Sequence, residues 1–185
     1  MIRTSLELNY VKRTLRQLYG YTQATPVSGF LDTAWTRSVA IYPGMVMTRT
    51  TGDNYTLIGS AAQTTSDVPA GLVYQFIGGY GVDELLDCGF NGLSVFVLGP
   101  DAEFEVLAPA FDVTGGTSSA GWTQTSGLDN YVYASVSGAN QGQLVASDCS
   151  TKSTHPVARL IQIESPTVLR IGGILAAARG VSSQA

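Results

Sequence analysis

The segment running from Asp148 through Cys149 and Ser153 to His155 gathers a carboxylate, a thiol, hydroxyls and the chain's single histidine. Cys149 or Ser153 as nucleophile, His155 as base and Asp148 as orienting acid would be acyl-transfer chemistry. Known triads are assembled across a fold from residues far apart in the chain, and the base needs a third group to hold it. Residues this close in sequence read instead as a loop, with His155 solvated beside Pro156. The pairs Asp87-Cys88 and Asp148-Cys149, with His155, offer metal donors. No C-x-x-C or H-x-x-x-H spacing accompanies them, and a structural site requires four donors in fixed geometry. The two cysteines read as small buried thiols rather than as a disulfide framework.

Asp101, Glu103 and Glu105 alternate along one strand face. Glycoside hydrolysis sets two carboxylates across a sugar; neighbours on one strand repel each other instead of dividing acid and base roles. An exposed face, or contact with a basic partner, is the simpler reading. Gly78-Gly79-Tyr80-Gly81 lacks the Gly-Lys-Ser/Thr ending of a phosphate loop. Trp35, Trp122, Tyr10, Tyr19, Tyr21, Tyr131 and Tyr133 supply the aromatic faces of a sugar platform, although such residues more often form core or subunit interface. The expectation is a protein with no catalytic residue, no metal and no cofactor.

The chain of 185 residues fits one domain with an arm, and only 13% of its residues are charged. The hydrophobic share of 44% is too high for disorder. A net charge of −4 argues against nucleic-acid binding. The charge is unevenly placed: Arg3, Lys12, Arg13 and Arg16 face only Glu7 near the start. Asp83, Glu84, Asp87, Asp101, Glu103, Glu105 and Asp112 follow one another without an intervening Lys or Arg. A basic end on an acidic body suits docking on an acidic partner. No apolar run approaches the roughly 18 residues of a membrane span. The first residues lack the apolar centre of a signal peptide, so synthesis in a cytoplasm is expected.

Leu8, Val11, Leu15 and Leu18 follow helical spacing, which predicts a short amphipathic helix, marginal in isolation. Residues 1–29 read as an arm, extended or partly helical, that needs a partner surface. Residues 30–174 form the body and 175–185 a tail. Within the body, strands are predicted at 45–51, 55–58, 72–77, 93–98, 103–107, 131–136, 143–146, 157–163 and 167–171, with Gly52-Asp53-Asn54 as a hairpin turn and 113–127 as a loop. Short strands with frequent turn signals specify an all-β barrel or sandwich.

The body also repeats itself. Val46 aligns with Val132, Gly52 with Gly138, Asn54 with Asn140, Leu57 with Leu144, Pro69 with Pro156 and Gln75 with Gln162. The expectation is two similar β units, 45–76 and 131–163, each with an apolar face that the other helps to bury.

The run AIYPGMVMTRTTGDNYTLIGS, followed by VPAGLVYQF and LSVFVLGPDAEFEVLAPAFD, resembles the capsid decoration (cement, head-stabilising) proteins of tailed bacteriophages. YVYAS, GQLVAS and PVARLI continue the style in the second unit. The resemblance implies a small β-barrel or β-tulip, a homotrimer on the virion surface, and the major capsid protein as partner. It also implies an N-terminal arm that adds a strand to a capsid-protein sheet. Leu6, Leu8 and Val11 would anchor that strand, and Arg3, Lys12, Arg13 and Arg16 would supply its charge. The function expected is stabilisation of a capsid by bridging neighbouring capsomers, without nucleic acid or membrane. A tail-tube or head-fibre component and a carbohydrate-binding β-module are the alternatives.

Overall fold

The computed structural model describes residues 14–19, 24–32, 40–59, 68–74, 92–116, 121–123 and 130–174. They are all-β, as expected, with one 3-10 turn at Gly138–Asn140 as the only helical element among them. The strands are β1 (Leu15–Tyr19), β2 (Ala24–Leu31), β3 (Val46–Arg49), β4 (Asn54–Leu57), β5 (Gly71–Val73) and β6 (Gly92–Leu98). There follow β7 (Glu103–Leu107), β8 (Tyr131–Ala134), β9 (Leu144–Val145), β10 (Ala158–Ser165) and β11 (Val168–Gly172). β2, β4, β3, β5 and β6 close a barrel in that order; β1, β7, β11, β10, β8 and β9 form a second, six-stranded sheet.

Both layers follow from residue alternation. In β7 the side chains of Phe104 and Val106 are fully buried while those of Glu103, Glu105 and Leu107 are half-buried on the other face. Val132 and Ala134 of β8 and Leu169 and Ile171 of β11 continue the buried face. That face packs on the barrel, where Phe96 of β6 meets Phe104 with ring centroids 5.5 Å apart. Val46 and Leu72 lie in register with Phe96 and share its side. Met47 and Leu57, paired with each other, take the opposite side and are also fully buried. Barrel strands covered on both faces are therefore near-continuous apolar runs, whereas the six-stranded sheet alternates.

The N-terminal region departs from expectation. The helical spacing ends in a strand: Leu15 pairs with Val106 and packs on the core, and Arg16 pairs with Glu105 on the outer face. Ladder bonds and tertiary packing override a helical pattern that is weak alone. The arm–body boundary expected at residue 29 falls inside β2, whose register runs from Ala24 opposite Leu98 to Phe30 opposite Gly92. Pro26 and Gly29 make this segment look like a turn, but Gly29 has a packing role. A Cβ there would lie 2.5 Å from the Asp53 carbonyl oxygen and overlap the Tyr55 ring. The space admits the β3–β4 hairpin, and Phe30 N donates to that carbonyl at 2.9 Å, beside the parallel β2–β4 pairing.

The two expected units share a connectivity. β3 lies between β4 and β5, and β8 lies between β9 and β10. One triplet belongs to the barrel and the other to the sheet. They meet where Gln141 Nε2 donates to the Ile58 carbonyl at 3.1 Å and Val46 N donates to the Gly142 carbonyl at 2.8 Å. Gly59, at φ +79°, lies so close to Val136 that an added Cβ would overlap its backbone carbonyl. Gly59→Ala should therefore destabilise the protein by about 1–3 kcal/mol, combining positive-φ strain with overpacking. A urea melt with an unchanged midpoint would show that the two layers do not depend on this approach.

Candidate functional site

The outer face of the six-stranded sheet carries two cross-strand rows. Cross-strand partners share a face, so register assigns each side chain. One row places Tyr131 of β8 beside Arg159 of β10, then Gly172 of β11, then Glu103 of β7. The other runs from Gln162 through Arg170 and Glu105 to Arg16 of β1. Arg16 Nη2 donates to Glu105 Oε1 at 2.8 Å. Arg170 Nε donates to Glu103 Oε2 at 3.0 Å, with Nη2 on the same oxygen. The basic contacts of the β7 carboxylates thus come from within the chain. Lys152 Nζ lies 5.5 Å from the Tyr133 ring centroid, within cation–π reach.

Of the residues expected to contact a partner, Arg16 is placed on this face. Arg3, Leu6, Leu8, Val11, Lys12 and Arg13 lie outside the described residues. Arg159, Arg170 and Lys152 were not anticipated, although the alternation in ARLIQ and VLRIG places Arg159 and Arg170 on the face opposite the core. β1 is an edge strand: among the described residues it pairs with β7 alone. Thr14 is fastened just before it, its hydroxyl donating to the Pro43 carbonyl at 2.5 Å and its carbonyl accepting from Leu107 N at 2.8 Å.

The reactive groups have structural contacts. Cys149 is 1% exposed, with Sγ 3.4 Å from Thr151 Oγ1 and against the backbone of Gly116. Ser153 Oγ accepts from Ala134 N at 3.1 Å and donates to the His155 carbonyl at 2.8 Å, clamping a turn to β8. His155 lines a groove of about 140 Å³ with Val68, Pro69, Ala70, Leu98 and Pro156. The aligned prolines Pro69 and Pro156 thus meet in one groove at the junction of the two layers. Trp122 faces inward, donating to the Asp112 carbonyl at 2.6 Å and packing edge-on against Phe111. Asp112, largely buried, accepts from Thr114 N and Oγ1 at 2.8 and 2.7 Å and from Asn140 Nδ2. Among the described residues no group of three His, Cys, Asp or Glu is placed to hold a metal. Asp87, Cys88 and Trp35 lie outside them.

An all-β body in which these groups serve packing and turns, with two ion pairs ordered on one sheet face, has the character of a structural protein. Its family is specific: the chain belongs to the phage cement proteins, whose family model matches residues 1–179. Searches among curated proteins and among solved structures returned no match. The protein is therefore a bacteriophage virion component with a structural role at the capsid.

Two outcomes are expected. Arg16→Ala should change stability by at most about 1 kcal/mol, because the side chain is 65% exposed and its ion pair is screened; a thermal melt will read this, and a large loss would show that the pair holds β1 in place. The peptide carrying Cys149 should resist a maleimide in the native protein and react after urea unfolding. Rapid native labelling near neutral pH would reopen the nucleophile reading.

Proposed function

We propose that the protein coats the outside of an assembled capsid, binds the major capsid protein through residues 1–13 and the adjoining β1, and stabilises the shell by bridging neighbouring capsomers. The observation that supports this reading is the position of β1. Among the described residues it is an edge strand, its Arg16 lies on the outer face, and residues 1–13 precede it directly in the chain. Unpaired main-chain groups at a sheet edge recruit an extended strand, and alternate side chains fill pockets on the partner. Leu6, Leu8 and Val11 serve as those anchors, each contributing about 1.5–3 kcal/mol on full burial before ordering costs. Arg3, Lys12, Arg13 and Arg16 add attraction to an acidic surface.

A few such anchors bind weakly alone. A homotrimer, which we include in the proposal, presents three arms at once and gains by effective concentration. Bridging then follows from geometry, since arms leaving one trimer reach different capsomers.

The truncation that tests this stops before Thr14, because Thr14 and Leu15 are part of the body. Protein lacking residues 1–13 should keep its thermal transition and fail to co-sediment with particles stripped of cement protein. Undiminished coating by the truncated protein would remove the arm from the mechanism. Electron microscopy of decorated particles should place its density across a capsomer boundary; density confined to one capsomer, or to the tail, would refute bridging.

A further inference from the structure

We propose that the outer face of the six-stranded sheet lies against the shell and meets an acidic patch of the capsid protein. This rests on the capsid-binding reading above and assigns the surface that does the binding.

The first reason is charge. The described Lys and Arg residues are Arg16, Arg49, Lys152, Arg159 and Arg170. All but Arg49 are on or beside this face, although the chain as a whole carries −4. Glu103 and Glu105, the acids within the rows, are engaged by Arg170 and Arg16. Arg159 and Lys152 have no ion-pair partner among the described residues, so their charge is available to a partner. Glu164 is exposed near the end of β10, Asp101 is in the turn before β7, Asp148 is exposed in the loop that carries Lys152, and Asp112 is largely buried. Asp32 and Asp53 belong to the barrel side, where Thr50 and Arg49 engage them. Four of the five described cations thus gather on one side of the molecule, which favours approach of that side to an acidic surface.

The second reason is residue type. Tyr131 and Tyr133 flank the two available cations, and tyrosine with arginine is the pairing enriched in the buried centres of protein interfaces. Lys152 over the Tyr133 ring and Arg159 beside Tyr131 make a compact patch.

The third reason is continuity. β1 forms one edge of this sheet, and the segment with Arg3, Lys12 and Arg13 adjoins it. An arm engaged with the shell brings this face to the shell as well, because the sheet's other face is sealed against the barrel. A phosphate backbone fits less well: the carboxylates of Glu103 and Glu105 stand within the rows and would be pressed against it.

The test compares a Lys152→Glu, Arg159→Glu double variant, Tyr131→Ala, and Arg49→Glu on the barrel hairpin, each checked by circular dichroism and thermal melting. Binding is read by co-sedimentation with stripped particles over a range of salt. The double variant should bind at least tenfold more weakly with a shallower salt dependence, Tyr131→Ala should bind more weakly at all salts, and Arg49→Glu should match the parent. Should the double variant fail to fold, Arg159→Ala carries the same test, since that side chain is exposed. Parent-like binding by the face variants, with binding still lost on removal of residues 1–13, would overturn this face and leave the capsid reading standing. Failure of the parent to bind stripped particles would end both. Retention of the parent, but not the double variant, on double-stranded DNA would make the face a nucleic-acid site and overturn the acidic-protein assignment.

Discussion

The structure depends on one stacking arrangement, the inner face of the six-stranded sheet laid on the barrel. Phe104 and Val106 leave water there, and Phe96 is covered by Phe104 from the sheet and by Tyr74 from its own side. Each sheet alone would expose a row of large apolar side chains. Together they form one core, which also takes in Ile41, Leu144, Leu160 and Ile171. Close backbone approaches at Gly59 and Gly142 let the layers come this near. The division of labour follows: the barrel is buried inside and along one flank, and the sheet retains one free face to carry charge.

That free face concentrates the few charged residues of the six-stranded sheet. The acids of β7 do not make a repulsive stripe, because Arg16 and Arg170 reach across to them from the strands on either side. Partly shielded pairs of this kind add little net stability. Their contribution is arrangement, since they fix where Arg16 and Arg170 sit and leave Arg159 and Lys152 without an ion-pair partner among the described residues. Membership of the phage cement proteins supplies the setting, a capsid. The sheet face is the side proposed to meet it.

Much of this architecture was legible from residue order. β7 was read with its observed limits, and β6, β8, β10 and β11 within a few residues, because period-two alternation survives where one face is buried. β2 was missed because Pro26 and Gly29 are turn-formers by local chemistry. Only the approach of the β3–β4 hairpin, distant in sequence, explains why a glycine stands there. β1 was missed for the opposite reason: the helical spacing of its leucines is real, and the edge of β7 overrides it. Of the candidate surface, Arg16 was legible as part of a basic cluster. Arg159, Arg170 and Lys152 were not, since their convergence comes from strand order β11-β10-β8, which no local pattern encodes.

The barrel closes on itself through the β2–β6 pairing and the short parallel contact of Phe30 and Leu31 with β4. At the far side of the other sheet, β9 is short and Phe111 bridges to Leu144, capping that border. Among the described residues, β1 is the border of the six-stranded sheet that no further strand pairs. In the proposed binding mode, that border is covered in every bound molecule. Coverage in that mode saturates as a single coat instead of thickening into fibres or multilayers.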